Sequence, residues 1–104
     1  GTEMKNPIGG LNKHFESRVR LGVMSVLVVN DRVDFNALKE LLEITDGNLA
    51  SHTRALESHG YIEVHKQFIK RKPNTSYSVT AKGRRAFNAH LEALEDLIGP
   101  SPGP

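Results

Sequence analysis

Apolar positions along the chain change their period, and each change marks an element. From Asn12 to Val29 they recur at helical spacing, with Phe15, Val19, Val23, Val26 and Leu27 on one face. Leu21, Met24 and Val28 cover much of the remainder, so this first helix is expected at the centre of the fold. Asn30-Asp31-Arg32 reads as a polar turn and Val33-Asp34-Phe35 as a short strand. A second helix is predicted from about Asn36 to Leu42, with Leu38, Leu41 and Leu42 inward and either Asp34 or Asn36 as its cap. Glu43-Ile44-Thr45 is a tight connection. Thr45 is a natural N-cap for a third helix, and Asp46 in the first turn suits the positive end of its dipole. That helix runs to about His59, with Leu49, Thr53 and Leu56 inward and Gly60 placed for a left-handed C-terminal cap.

Beyond Gly60 the period drops to two. Ile62, Val64 and Phe68 mark one side of a strand, with Glu63, His65 and Gln67 between them. Lys70-Arg71-Lys72-Pro73-Asn74 reads as a basic turn, because Pro-Asn seldom lies inside a sheet. Ser76 to Val79 returns as a second strand, with Tyr77 and Val79 on a common face. Thr80 caps a last helix reaching Ile98, along which Phe87, Leu91, Leu94 and Ile98 repeat at helical spacing and Gly83 permits close packing. A flexible leader (1–11) and a disordered tail (99–104), which includes Pro100-Ser101-Pro102-Gly103-Pro104, are expected to flank one domain spanning 12–98. The order is helix, strand, helix, helix, hairpin, helix. The fold class is therefore α+β, mainly α: a winged helix-turn-helix with a three-helix core and a C-terminal helix.

Composition narrows the possible roles. The chain of 104 residues suits one modest core, and its 38% hydrophobic and 25% charged residues are ordinary for a globular domain. No apolar run approaches the roughly 18 residues that cross a bilayer, and no basic-then-apolar signal pattern opens the sequence. Cysteine is absent, which excludes disulfides, thiolate metal sites and a thiolate nucleophile. A reducing, cytoplasmic location is the expectation that fits. Net charge is only +2, but it is unevenly spread. Residues 1–44 balance six basic against six acidic side chains. Residues 45–85 carry eight basic (Arg54, Lys66, Lys70, Arg71, Lys72, Lys82, Arg84, Arg85) against three acidic, and residues 86–104 carry three acidic and no basic. The middle of the chain thus looks towards a polyanion.

An α-helix fits the major groove of B-DNA, where its leading residues reach base edges. With Leu49, Thr53 and Leu56 inward, the third helix turns Asn48, Ser51 and His52 outward, with Arg54 to one side. These are short or planar hydrogen-bonding groups; the plain alternative is that they only solvate an exposed helix. Lys70, Arg71 and Lys72 at a hairpin tip can straddle phosphates or enter a minor groove, with Lys66 in support. A basic turn alone is weak evidence. Following a helix-turn-helix, it favours double-stranded DNA as the partner. Asn36, at the start of the second helix, joins the set.

Several runs resemble the MarR/ArsR-like winged-helix regulators, and best of all the short subgroup described as a winged-helix DNA-binding domain. They are Arg20-Leu21-Gly22-Val23-Met24, Asp34-Phe35-Asn36-Ala37-Leu38, Thr45-Asp46-Gly47-Asn48-Leu49-Ala50-Ser51-His52 and Leu56-Glu57-Ser58-His59-Gly60-Tyr61-Ile62. Thr75 to Gly83 resembles the second wing strand and final-helix start of the same group. The resemblance covers about residues 12–98. It implies a homodimer on a pseudo-palindromic operator, with the third helix as reader. Thr53 stands where many relatives carry Leu, and the terminal helices are short for a ligand cleft. No motif points to a small-molecule effector.

Other chemistry is weaker. Five histidines invite a metal, yet no pair has the i, i+4 spacing of a helical zinc site, and His52 and His59 lie about two turns apart. His14 and His90 lie on the first and last helices, where a dimer interface could bring them together. Ser51 and His52 are adjacent and so point apart, and no nucleophile elbow or phosphate-cradling loop is present. We therefore expect no enzyme, no metal and no cofactor. The stripe of Phe87, Leu91, Leu94 and Ile98 either covers the domain core or, with Ile8, Leu11 and Phe15 from the chain's start, builds an interface; Leu97 beside it makes it wider than one small core needs. It reads as a two-fold interface. The rival to a DNA-binding regulator is a winged helix that docks a protein partner.

Overall fold

The computed structural model describes residues 11–15 and 17–98. The expected leader, apart from Leu11, and the expected tail lie outside the described residues. A short 3-10 turn (Lys13–Phe15) precedes α1 (Arg18–Val29), β1 (Val33–Asp34), α2 (Phe35–Leu42), α3 (Asp46–Ser58), β2 (Ile62–Ile69), β3 (Lys72–Val79) and α4 (Ala81–Ile98). Four helices and a three-stranded antiparallel sheet of order β1-β3-β2 make a mainly helical winged helix.

The first helix is shorter than its periodicity predicts. Ser17 caps α1, its Oγ accepting from Arg20 N at 3.5 Å. The preceding residues fold across the domain instead of extending the helix. Asn12 N donates to His90 Nδ1 at 3.0 Å, and Asn12 Nδ2 donates to Tyr61 Oη at 3.1 Å. These long-range bonds compete with helical ones and win, because polar Asn and Ser side chains offer the backbone alternatives to a helix.

The remaining helix ends follow local chemistry. Asp34, not Asn36, caps α2: its Oδ1 accepts from Ala37 N at 2.7 Å, which leaves Asn36 exposed. Thr45 caps α3 by accepting from Asn48 N at 3.2 Å. At the far end Gly60 has φ +76°. There Gly60 N donates to Glu57 O at 2.9 Å and Tyr61 N to Leu56 O at 3.0 Å, the paired bonds of a Schellman motif. Leu38 is fully buried, but Leu41 at the flank of the same stripe is 63% exposed, against the expectation that it points inward. Thr53 is buried, and its hydroxyl is satisfied by Leu49 O and Ala50 O of its own helix, at 3.0 and 3.2 Å.

The hairpin is tighter than its sequence suggests. The turn is only Lys70-Arg71, and Lys72, Pro73 and Asn74 belong to β3 rather than to a five-residue loop. Both turn residues have positive φ, 51° and 67°, the geometry of a two-residue type I′ turn. Ile69 and Lys72 close the hairpin, and Phe68 pairs with Pro73. In such a hairpin the pair next to the closing one exchanges no hydrogen bonds, so the imide nitrogen of Pro73 faces away from β2. On that open side β1 reaches only Ser76 and Tyr77. Proline is thus placed where no ladder bond is lost.

The core is built from Phe15, Val23, Met24, Leu27, Leu38, Leu49, Leu56, Ile62, Tyr77 and Phe87. This corrects the expected interface. Phe15 and Phe87 are 1% and 5% exposed, with ring centroids 6.0 Å apart, and fill the chain's own interior. Folding residues 11–15 back onto α4 is what puts Phe15 there. Along α4, Gly83, Phe87 and His90 are buried, whereas Leu91, Leu97 and Ile98 are exposed and Leu94 is half-buried. Leu11 is half-buried. Among the described residues, no helix is long and apolar enough to cross a membrane.

Candidate nucleic-acid interface

Three elements position the polar surface that the sequence singles out. Asn48, Ser51 and Arg54 are exposed on α3, on the side opposite buried Leu49, Thr53 and Leu56. A cleft of about 450 Å³ separates the start of α2 and the flank of α3 from the hairpin. Asn36, Arg54 and Lys66 line it together, with Phe35, Glu57 and Asn74 also on its walls. Lys70, Arg71 and Lys72 stand exposed at the hairpin's far end. Glu57 and Asn74 escaped the sequence reading, since nothing local marks residues that meet only across a cleft.

His52 is set differently from its helix neighbours. It is half-buried, and its Nδ1 lies 3.0 Å from Arg20 Nε on α1. A guanidinium can only donate, so Nδ1 accepts and a neutral imidazole here carries its proton on Nε2. Burial, and next the positive charge of Arg20, hold the His52 pKa below its ordinary 6.5. His52 therefore offers a hydrogen-bond donor, not an acceptor, to anything it meets through Nε2. Arg20 is the positioning residue that the sequence did not flag, because 32 residues separate the two.

The sign of the resulting pH dependence follows from the lowered pKa. The unfolded chain takes up the His52 proton near pH 6.5 and the folded chain only at lower pH. The stability that goes with a neutral His52 is thus fully present above that value and is lost as pH falls through the folded-state pKa. Between pH 7 and 5 the wild type should lose more thermal stability than His52→Gln. Parallel melting curves for the two proteins across that range would show that folding leaves the His52 pKa unchanged.

At the head of α3, Asp46 accepts an ion pair from Lys39 on α2, with Lys39 Nζ 2.8 Å from Asp46 Oδ1. That bond raises the Lys39 pKa. It also neutralises the one acidic group in the first turn of the helix that carries Asn48 and Ser51, so a polyanion approaching that end meets little repulsion.

The hairpin tip makes the opposite trade. Lys70 and Arg71 occupy left-handed backbone that costs ordinary residues roughly 1–2 kcal/mol each. Asn-Gly would form the same turn with less strain. Two cations sit there instead, so the tip carries its charge at the expense of backbone strain.

An α-helix with an exposed polar face, beside a strained cationic ribbon, is the arrangement of a known family, and residues 19–98 match the winged helix DNA-binding domain model. The chain belongs to that family. Among relatives of this winged helix domain is an uncharacterized protein of Methanocaldococcus jannaschii, 40% identical over 85 residues, which span 82% of this chain and 92% of the relative. A transcriptional regulator homologue from Pyrococcus horikoshii superposes with a TM-score of 0.77 at 32% identity, covering 82% of this chain and 84% of that one. The regulator MarR shares the fold, with a TM-score of 0.73 at 19% identity, covering 88% of this chain and 67% of that one. The fold is MarR-like. Among the described residues, no three histidine or carboxylate side chains gather as metal ligands would.

Proposed function

We propose that this winged helix is a homodimeric, sequence-specific double-stranded DNA-binding transcription regulator of the cytoplasm, acting by binding and not by catalysis. The observation that carries the reading is the exposed face of α3, with Asn48, Ser51 and Arg54 open to solvent next to a cleft and ribbon bearing Lys66, Lys70, Arg71 and Lys72. In this reading α3 lies in the major groove. Asn48 and Ser51 address base edges, His52 donates through Nε2, and Arg54, Asn36 and Lys66 hold the backbone that crosses the cleft. The wing tip lies on the phosphates or in the neighbouring minor groove. The exposed Leu91, Leu97 and Ile98, with Leu94, are the surface for a second copy. Leu11, half-buried, belongs to the same interface in this reading, whereas Phe15 and Phe87 only support it from within.

Selecting duplexes from a random pool tests this directly. The expected product is a pseudo-palindrome whose half-sites are about one helical turn apart, roughly 10 bp. Asn48→Ala should lose discrimination at one position per half-site, of about 1–3 kcal/mol. Arg71→Ala should weaken all duplexes alike. A pool that never enriches, at low salt, would transfer the fold to the protein-docking reading.

A further inference from the structure

The wing carries an apolar feature that a purely cationic finger does not need. Phe68 is 76% exposed and Ile69 is 48% exposed, although the alternation of β2 puts Phe68 on the same side as buried Ile62. On that side Val64, Lys66, Pro73 and Thr75 face the cleft. Phe68 stands one alternation beyond Lys66, directly opposite Pro73. Cross-strand neighbours in such a pair lie about 5 Å apart at Cβ, so the two rings form one apolar knob. Lys66 lies on the same face one alternation before it, Lys70 and Arg71 form the turn just beyond it, and Lys72 pairs with Ile69 on the opposite face; all four are exposed. Between Glu63 and Glu92 the chain has no acidic residue at all.

We propose that Phe68 is an apolar wedge that enters the minor groove of duplex DNA and partly unstacks a base step, with the surrounding cations anchored on the flanking phosphates. The inference rests on the DNA-binding reading above and adds to it a wing residue that acts through apolar contact and not through charge. Reach supports it. From Ile62, just after α3, to Phe68 the strand runs roughly 20 Å, comparable to the ~17 Å of half a DNA turn between a major groove and the next minor groove. Charge selects the occupant: the cations of the wing end repel a second copy of the same tip but suit a groove walled by phosphates. Chemistry does too, since apolar side chains inserted between base steps are a recurrent means of kinking a duplex from the minor groove.

The experiment uses the full chain and duplexes enriched from a random pool, with 2-aminopurine placed in turn at each position beneath the wing. Wild type should raise the fluorescence at one step per half-site, as unstacking requires. Phe68→Ala should abolish that rise and weaken binding ~10-fold. Phe68→Leu should keep most of both, and Arg71→Ala should weaken binding yet leave the unstacking signal at saturation. Because Phe68 is largely exposed, unchanged circular dichroism and melting of Phe68→Ala are expected. Wild-type affinity and an unaltered signal in Phe68→Ala would overturn the wedge while leaving DNA binding intact. So would an oligomer, seen by sedimentation without DNA, that Phe68→Ala dissolves. Failure of the wild type to enrich any duplex would overturn both readings together.

Discussion

Gly83→Ala should destabilise the domain by about 3 kcal/mol, lowering the melting temperature by roughly 15 °C. A Cβ at position 83 would lie 2.0 Å from the carbonyl oxygen of Tyr61 and 2.8 Å from its carbonyl carbon. Neither atom can yield easily. Tyr61 O already accepts from Thr80 N at 3.1 Å, and Thr80 Oγ1 donates to Gly60 O at 2.6 Å while accepting from Gly83 N at 2.9 Å. The first turn of α4 is thus bonded to the residues that end α3, and room for a methyl group can be made only by parting them. Phe87, one turn further on, would be drawn out of the core with the helix. Gly47→Ala is the control, because outside its chain neighbours and its own helix backbone no atom lies within 4 Å of a Cβ there, and its melting should match or slightly exceed wild type. Similar melting of the two variants would mean that α4 can slide off Tyr61 at little cost.

Removing the wing's charge should have the largest effect on DNA. The triple variant Lys70→Asn, Arg71→Gly, Lys72→Gln deletes three cations, and its first two changes suit the left-handed turn better than the native residues do. The ribbon should therefore remain, or gain stability, while its charge disappears. If each cation neutralises one phosphate, the log–log dependence of affinity on salt should flatten by about 2.7, and affinity near 0.1 M salt should fall by two to three orders of magnitude. Fluorescence anisotropy across a salt series reads both quantities. An unchanged slope would place the wing away from the duplex, even if α3 still reads bases.

Legibility in the sequence follows the range of the interaction concerned. Thr45 as a cap, Gly60 as a left-handed terminus and Thr80 at the start of α4 could be named because each depends on bonds within a few residues. The helical stripes of α1 and α3 were equally plain, since burying Leu49, Thr53 and Leu56 leaves only one side of α3 for Asn48, Ser51 and Arg54. Even the choice of Asp34 over Asn36 as a cap, which the sequence left open, came down to one local bond.

Long-range competition was not legible. Helical spacing alone assigned Phe15 to an extended α1 and Phe87 to an outward stripe. Asn12, bonded to Tyr61 and His90, turned the chain back and put both rings in the core. Pro73 entered a strand because its neighbour on the open side ends three residues too soon to need a hydrogen bond from it, which no local rule can foresee. Phe68 obeyed its alternation and still emerged into solvent, because the hairpin outruns the body it packs on.

The amino-acid order was enough to establish a helix-turn-helix followed by a basic ribbon, since propensity, capping and periodicity act over one or two turns of chain. Contacts between distant segments settled what remained. They joined Asn36, Arg54 and Lys66 around one cleft, tied His52 to Arg20, and left an aromatic ring at the wing's end, because side chains far apart in sequence come together only after the core has chosen how its elements pack.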